Sequence, residues 1–370
     1  MNFIPVNEPL LNGNEKKYLT ECIESGWISS EGPFVEKLEI KFSQRVGRKY
    51  GIAVCNGTAA LEAAVIAADV KEGDEVIIPA FTIISCISAI IRAGGKPVLI
   101  DSEPDTWNMN VSQIQEKITA KTKAIMAVHI YGLPVDMDSV ISVAEKYNLK
   151  VIEDAAELIG QTYKEKPCGS FGDVSTFSFY PNKHITTGEG GMIVTDNHEI
   201  AERCRSLRNL CFIPGKRFVH EELGFNFRMT NLQAAVGLAQ IERLDEFIKK
   251  KRHTGKLYNS YLRNNTAFHL PLEKTSYAEN IYWVYGLLIK EEIKSDAEKL
   301  MKALAEKKIG TRPFFYPMHL QPVFINKGMF KNEKYPVAEK LADKGFYLPS
   351  GLALTDEQIF NTAEAVNSLI

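Results

Sequence analysis

Residues 171–192 read FGDVSTFSFYPNKHITTGEGGM and decide the fold of the chain around them. The β-type run 174–180 ends at a proline, and the glycine-rich segment 188–191 disfavours a helix. A second apolar run, 192–195, predicts another strand. Lys183 therefore lies on a tight connection between two apolar strands. Because burial disfavours a charged amine, it lowers the pKa of such a lysine, as an amine nucleophile that forms a Schiff base requires.

Outside this stretch, apolar strands and helices alternate. Continuous apolar strands separated by helices predict an α/β fold with a mostly parallel sheet covered on both faces. Predicted strands cover residues 51–55, 75–78, 96–100, 123–129 and 149–153. Predicted helices cover 14–25, 34–46, 59–67, 83–93, 111–118, 137–147, 198–208 and 232–248, with a looser segment at 209–222. The strand 281–289 and the helices 294–307, 336–343 and 356–369 predict a smaller α+β domain. We expect a large domain over 1–248 and a small one over 249–370.

Composition excludes several classes of protein. The formal net charge is −2 over 370 residues, which favours neither nucleic acid nor an anionic membrane as a partner. No apolar run reaches membrane-spanning length, and the N-terminus lacks the regions of a signal peptide. Six cysteines without CxxC or zinc spacing indicate reduced thiols, a cytoplasmic protein and no metal site. The basic run 249–252 is expected to be a solvated helix face.

The turn Asn56-Gly57-Thr58 follows a short strand and precedes a strong helix. Such a turn presents free backbone N–H groups, here at Thr58, Ala59 and Ala60, together with the positive end of a helix dipole. It predicts a phosphate site, and an ordinary connection between strand and helix is the alternative. No Gly-Lys-Ser/Thr is present, so the turn is not a Walker A loop.

Asp154 follows the buried strand 149–153. A carboxylate in this position is costly unless it has a partner, and it could instead cap a helix. In open α/β sheets ligands collect beyond the carboxyl ends of the strands. Thr58, Asp154 and Lys183 all lie at or just after strand ends, so the sequence predicts that they share one site.

The stretch 171–192 resembles the active-site loop of the sugar-nucleotide aminotransferases, which are fold-type-I enzymes that use pyridoxal 5′-phosphate (PLP). The matching residues are Ser178, Phe179, Tyr180, Lys183, Ile185, Thr186, Thr187, Gly188, Glu189, Gly190 and Gly191. Three further segments resemble the family in the expected order: 26–30, 224–229 and 311–319. The resemblance implies the aspartate aminotransferase-like fold.

The resemblance also implies how the cofactor is held. Lys183 would bind PLP covalently and, once released, move a proton as general base and acid. Asp154 would keep the pyridine nitrogen protonated, so that the ring acts as an electron sink. The remaining cofactor contacts would be Gly57, Thr58, Ala59, Ile83, Ala156, Glu157 and Ser178. Family members usually carry an aromatic residue at the position of Ile83, which can offer the ring apolar contact but not aromatic stacking.

Asn226 in the family reaches the PLP phosphate of the neighbouring subunit, which implies a homodimer with shared active sites. A capping role in a polar loop is the alternative for Asn226. The resemblance assigns substrate contacts to Trp27, Ser29, Arg228, Arg312, Tyr316 and His319. Packing is the alternative for Trp27, and a structural role is the alternative for His319.

The resemblance thus predicts transfer of the amino group of L-glutamate, leaving 2-oxoglutarate, to C4 of a nucleotide-linked 4-keto-6-deoxyhexose. The product would be of the perosamine (GDP) or viosamine (dTDP) type, for O-antigen or other polysaccharide synthesis. The segment 209–222 leaves the nucleotide open. The alternatives are a 3-aminotransferase acting on a 3-keto sugar nucleotide, a PLP-dependent sugar 3-dehydratase, and a binding or regulatory module on the same fold. Sugar 3-dehydratases of this kind carry histidine at the position of Lys183.

Overall fold

The computed structural model describes residues 2–370, apart from the side chain of Arg217. The helices are α1 Glu15–Ser25, α2 Pro33–Val46, α3 Gly57–Ala67, α4 Ile84–Arg92, α5 Met137–Tyr147, α6 His198–Arg208, α7 Asn231–Ile241, α8 Leu244–Leu262, α9 Ala297–Glu306, α10 Pro322–Asn326, α11 Pro336–Lys344 and α12 Asp356–Asn367. The strands are β1 Tyr50–Val54, β2 Glu75–Pro79, β3 Lys96–Ile100, β4 Thr122–Val128, β5 Lys150–Asp154, β6 Thr162–Tyr163, β7 Lys166–Pro167, β8 Val174–Ser178, β9 Gly191–Thr195, β10 Phe212–Ile213, β11 Lys216–His220, β12 Phe268–His269, β13 Tyr285–Ile289, β14 Arg312–Pro313 and β15 Gly345–Leu348.

A seven-stranded sheet in the order β1-β9-β8-β5-β4-β2-β3 forms the centre of the molecule. Its pairs from β8 to β3 are parallel, whereas β9 runs antiparallel to both β8 and β1. Strand β1 is therefore parallel to β8. The carboxyl ends of β1, β5 and β8 consequently lie at one edge of the sheet, and that edge places the turn at Thr58, Asp154 and Ser178 on the same side.

Neighbouring residues of the central strands enter different cores, as expected for a sheet covered on both faces. In β2, Val76 and Ile78 pack with α3, α4 and α6, whereas Ile77 packs with α2, α5 and α7. The predicted mostly parallel α/β architecture is confirmed. None of the helices in the described part of the chain combines the length and the apolarity that a membrane crossing requires.

Two helix predictions are wrong in detail. Residues 111–118 form two 3₁₀ turns, Val111–Gln113 and Gln115–Lys117, because Asn110 binds the Ser112 N–H and the following bonds span three residues rather than four. The helix predicted over 232–248 is divided where α7 ends at Ile241 and α8 begins at Leu244.

The smaller α+β unit consists of a sheet in the order β12-β13-β15-β14, with α8, α9 and α12 packed against it. Helix α8 runs without a break from the large unit into the small one, so the expected boundary at 248/249 falls inside it. The expectation of a solvated face over 249–252 is wrong for Lys251, which is 2% exposed. Its ammonium reaches inward to the carbonyl groups of Trp283 and Ser350.

Candidate active site

A cavity of about 500 Å³ opens at the sheet edge where β1, β5 and β8 end. Eight of the residues predicted from the sequence to bind the cofactor line this cavity. They are Gly57, Thr58, Ile83, Asp154, Ala156, Glu157, Ser178 and Lys183. The fold therefore brings segments of the chain that lie more than a hundred residues apart onto one concave surface.

The turn before α3 forms the end of the cavity at which a helix N-terminus points inward. The side chain of Asn56 accepts the Ala59 N–H at 2.8 Å, and its carbonyl accepts the Ala60 N–H at 3.1 Å. The expectation of free amides at Ala59 and Ala60 is thus wrong, because Asn56 caps the helix. The amides of Gly57 and Thr58 remain for an anion, next to the positive end of the helix dipole.

Hydroxyl groups surround these two amides. The Thr58 hydroxyl lies 2.9 Å from that of Ser85, and a third hydroxyl belongs to Ser178 at the end of β8. Gly57 allows the close approach, since a Cβ atom there would lie 2.7 Å from the Cβ of Ser178. Amides, hydroxyls and a helix dipole together form a suitable cradle for a phosphate group.

Lys183 projects into the cavity from the connection between β8 and β9. Its backbone N–H closes a turn onto the Tyr180 carbonyl at 2.9 Å, and its side chain is 10% exposed. Nζ lies 3.9 Å from Oε1 of Glu157 and 3.8 Å from the ring centroid of Trp283. Burial lowers the pKa of Lys183, although the charges of Glu157 and Asp154 oppose that shift. The site thus holds a primary amine that gives up its proton more readily than a lysine in water.

Asp154 ends β5 and is 3% exposed. Its Oδ1 accepts the Ala156 N–H at 3.1 Å, and its Oδ2 accepts the Cys86 thiol proton at 3.1 Å. A turn rather than a helix follows β5, so Asp154 is not a helix cap. Sequence reasoning missed Cys86, because α4 meets β5 only in the folded chain.

Glu157 is a buried carboxyl group next to the amine. Its Oε2 accepts the Tyr131 N–H at 2.8 Å. Burial raises the pKa of Glu157 to about 8, and the nearby Lys183 charge only partly offsets the effect. A carboxyl group that stays protonated at neutral pH can donate a hydrogen bond to a ligand oxygen.

These groups fit PLP as the bound cofactor. An amine, a carboxylate, a buried carboxyl group and a phosphate cradle face one cavity, while Ile83 and Ala156 supply apolar contact. Aromatic side chains of Trp283, Phe315 and Tyr347 complete the wall. Sequence reasoning missed these three residues, and it placed Trp283 in a strand of the small domain.

Four other predicted site residues lie away from this cavity. Ser29 and Arg228 line a second cavity of about 1080 Å³ beside the β10–β11 hairpin, and Arg228 donates to the Asn209 side chain at 2.7 Å. Asn226 is exposed, and Trp27 is half exposed. A single subunit therefore does not bring these residues to Lys183.

The segment 311–319 is divided between surface and interior. Arg312 and Tyr316 are exposed, and neither lines the cavity that contains Lys183. His319 is 3% exposed, and its Nε2 lies 2.9 Å from Oε1 of Glu339. The assignment of His319 to substrate binding is therefore wrong, because the packing of α11 against this segment gives the imidazole a structural partner.

Beneath the cavity, His129, Glu153 and Cys168 offer ligand atoms within 4.8 Å of one another. His129 accepts the Val135 N–H through Nδ1 at 3.0 Å, so its Nε2 donates to Glu153 at 3.0 Å. Three further donors reach the same carboxylate. The cluster is thus a hydrogen-bonded support for the strand end that carries the next residue, Asp154.

Comparisons with known proteins agree with this geometry. A sequence model of the DegT/DnrJ/EryC1/StrS aminotransferase family matches residues 9–367. The chain is 43% identical over 367 residues to a GDP-perosamine synthase of Escherichia coli O157:H7, covering 99% of this chain and 98% of that protein. It is 40% identical over 359 residues to a GDP-perosamine synthase of Vibrio cholerae, covering 96% of each.

Solved structures resemble the chain over its whole length. An aminotransferase TlmJ from Streptoalloteichus hindustanus superposes with a TM-score of 0.91 at 26% identity, covering 99% of this chain and 98% of that one. The PLP form of a putative sugar aminotransferase, Spr1654 from Streptococcus pneumoniae, gives a TM-score of 0.91 at 26% identity, covering 100% and 98%.

Proposed function

Because the chain belongs to the DegT/DnrJ/EryC1/StrS aminotransferase family, we propose that it transfers the amino group of L-glutamate to C4 of a GDP-linked 4-keto-6-deoxyhexose. The chain is a PLP-dependent transaminase with the fold-type-I architecture predicted from the sequence. The observation that carries the proposal is the convergence of Lys183, Asp154 and the amides of Gly57 and Thr58 at the start of α3 on one cavity.

The relatives support the proposed nucleotide and sugar position. Proteins named GDP-perosamine synthase share 39–43% identity with nearly the full chain. They support a perosamine-type product and GDP over dTDP or UDP. They do not favour a 3-dehydratase or a 3-aminotransferase, and the amine at position 183 is the group that a dehydratase of this kind replaces. Synthesis of O-antigen or another polysaccharide in the cytoplasm is part of the proposal.

When bound, PLP supplies an electron sink that stabilises the charge formed as the proton leaves the amino acid. The chain supplies the remaining work. The Lys183 amine, with its pKa lowered by burial, would take that proton as a general base and give it back as a general acid. Asp154, held by Cys86 and the Ala156 N–H, would keep the ring nitrogen protonated. The buried Glu157, with its pKa raised by burial, would offer a hydrogen-bond donor to the cofactor.

The phosphate end and the aromatic wall have positioning roles. Gly57, Thr58 and Ser178 would hold the phosphate and so fix the cofactor relative to Lys183. Trp283, Phe315 and Tyr347 form an apolar wall that excludes water from the reacting atoms.

Half-reactions test the proposal directly. L-glutamate should bleach the visible absorbance of the purified protein and release 2-oxoglutarate, and a GDP-4-keto-6-deoxyhexose should restore the band. Mass spectrometry and NMR then locate the new amine. Lys183→Ala should lose both steps, whereas Lys249→Met on an exposed face should retain them. Absence of bleaching would refute the transaminase, and an amine at C3 would refute the assigned position.

The residues outside the cavity support a homodimer with shared sites. Ser29 and Arg228 line the second cavity, and Trp27 and Asn226, each two residues away from one of them in the chain, are exposed. All four are therefore accessible to a partner subunit. We assign them, with Arg312 and Tyr316, to the partner's site or to the sugar nucleotide.

Mixed dimers test this assignment. Lys183→Ala and Asn226→Ala should each be inactive alone. Because one site of every heterodimer would be intact, their equimolar mixture should recover about one quarter of wild-type activity. An inactive mixture in which heterodimers are demonstrated would show that both residues act in the same subunit.

A further inference from the structure

Lys251 is a buried cation within an otherwise solvent-facing basic run. It is 2% exposed, whereas Lys249, two residues earlier on α8, is exposed. Its Nζ donates to the Trp283 carbonyl at 2.8 Å and to the Ser350 carbonyl. Buried ammonium groups require such partners. Lys251 therefore joins α8 to Trp283, which lines the active-site cavity, and to Ser350, three residues after the cavity residue Tyr347.

Trp283 continues this connection toward the reactive lysine. It is 3% exposed, and its indole N–H donates to the Asn182 carbonyl at 2.8 Å. The centre of the indole lies 3.8 Å from the Nζ of Lys183, well within the range of a cation–π contact. One side chain thus binds the peptide directly before Lys183 and also touches its amine.

The backbone that carries Trp283 is packed from two sides. Tyr282 has φ 49°, a left-handed conformation that non-glycine residues rarely adopt, and its N–H donates to the Asn280 side chain at 2.7 Å. Gly255 of α8 leaves room for the Tyr282 ring, since a Cβ there would lie 2.5 Å from it. A Cβ at Gly132 would lie 2.7 Å from the Tyr282 nitrogen. Such strain persists where the surroundings fix it, and it clusters at functional sites.

We propose that the indole face of Trp283 is the resting surface of the free Lys183 amine, and that Lys251 is a positioning residue that keeps the indole there. The inference rests on Lys183 being the reactive amine of the proposed function. The indole attracts the charged form of the amine by cation–π contact. The indole holds the amine at the cavity wall, where the amine stays available to the cofactor. The alternative partner of the amine is the carboxyl group of Glu157, at 3.9 Å.

The groups around the amine are consistent with this role. Burial lowers the pKa of Lys183, while Glu157, Asp154 and Cys86 act in the opposite direction. The pKa of His184 falls through burial and then through the charge of Lys251.

Lys251 is affected by the same cluster. Burial and then the charge of Lys183 lower its pKa to about 7. The uncharged indole face of Trp283 thus stabilises the charge of Lys183 without adding another ion to this group of buried titratable side chains.

The test measures the protonation of Lys183 in the full-length, cofactor-free chain. Competitive labelling with trace acetic anhydride from pH 6 to 10, followed by mass spectrometry of the peptide containing Lys183, gives two quantities. The plateau at high pH reports access to the amine, and the midpoint reports its protonation. Trp283→Leu should shift the midpoint to lower pH. Its labelling at neutral pH, expressed as a fraction of its own plateau, should exceed that of wild type by roughly threefold to tenfold. Trp283→Phe retains an aromatic face and should stay near wild type.

Lys251 is tested with a matched pair. Lys251→Met removes the anchor and also a positive charge, and loss of that charge alone would raise the pKa of Lys183. The substitution is therefore made in wild type and in Trp283→Leu: its effect on the midpoint should lie toward lower pH in wild type relative to Trp283→Leu, and Lys249→Met should show no such difference. A Trp283→Leu midpoint equal to that of wild type would overturn the inference, as would equal effects of Lys251→Met in the two backgrounds. If Lys251→Met does not fold, the two Trp283 variants still decide the role of the indole. Wild-type Lys183 that resists labelling at every pH would instead refute the proposed function.

Discussion

Replacing Glu153 by glutamine should lower the free energy of unfolding more than replacing any single exposed charged residue. The reason is that four donors share one buried carboxylate. His129 Nε2 donates at 3.0 Å, the Gly169 N–H at 2.6 Å, the Phe171 N–H at 3.0 Å and the Ser175 hydroxyl at 2.9 Å. The residue is 0% exposed, so water cannot replace a lost partner.

The magnitude follows from counting acceptors. A glutamine offers one oxygen with two acceptor positions, so at least two of the four donors lose their partner, and the new NH₂ group faces them. Hydrogen bonds to a charged group contribute about 1.5–3 kcal/mol each. Glu153→Gln should therefore lower the free energy of unfolding by roughly 3–6 kcal/mol. That is a large fraction of the ~5–15 kcal/mol by which a typical protein is stable.

Urea unfolding of the full chain, followed by circular dichroism, measures the loss. Hydrogen exchange at the Gly169 and Phe171 amides reports it locally. Ser175→Ala removes one donor and should cost about 1 kcal/mol. Glu145→Gln on an exposed helix face should stay within about 0.5 kcal/mol of wild type. A Glu153→Gln protein that loses less than about 1 kcal/mol and keeps both amides protected would refute the reasoning.

Three further perturbations test the site. Gly57→Ala should lower the affinity for PLP about tenfold in absorbance titrations, because the new methyl would meet Ser178 at 2.7 Å. Cys86→Ala should weaken PLP binding severalfold and Cys86→Ser should restore it, since the serine hydroxyl can still donate to Asp154. Burial raises the pKa of Glu157 in the folded chain to about 8 from an ordinary 4.5, so the folded state keeps a proton that the unfolded chain has released. Stability of the cofactor-free chain should therefore fall as pH rises from 4.5 to 8, by up to about 1.4 kcal/mol per pH unit, and Glu157→Gln should flatten that slope in urea unfolding at several pH values.

Specific results would contradict these expectations. Unchanged PLP affinity in Gly57→Ala would mean that Ser178 can move aside freely. Equal PLP affinities of the Cys86→Ala and Cys86→Ser variants would show that the thiol does not support Asp154. A pH slope that is the same in wild type and Glu157→Gln would show that this carboxyl group is ionised in the folded protein at neutral pH.

The residues proposed to carry the chemistry could be found from the sequence because local patterns mark their positions and the family resemblance implies their roles. Lys183 follows a β-type run and precedes glycines, and Asp154 follows a buried strand. The turn at Thr58 lies between a strand and a helix. These are local patterns, and parallel strand order then brings their ends to one edge of the sheet.

The sequence did not reveal partners that come from distant segments. Cys86 meets Asp154, and Trp283 meets Lys183, across 68 and 100 positions, with no periodicity that links them. Lys251 was expected on a solvated helix face and His319 at the substrate, but packing of α8 and α11 buries both. The capping of Ala59 and Ala60 by Asn56 depends on one side-chain rotamer, which composition does not specify.

The amino-acid sequence by itself determined the α/β class and the strand ends near which Thr58, Asp154 and Lys183 lie, because hydrophobic periodicity and turn residues act over a few positions. The roles proposed for these three residues came from the family resemblance in the sequence. Only the tertiary structure decided which side chains surround that amine, which lysine is buried, and which predicted contacts fall outside the cavity. The physical reason is that burial and hydrogen bonding depend on atoms brought together by packing, and packing joins residues irrespective of their separation along the chain.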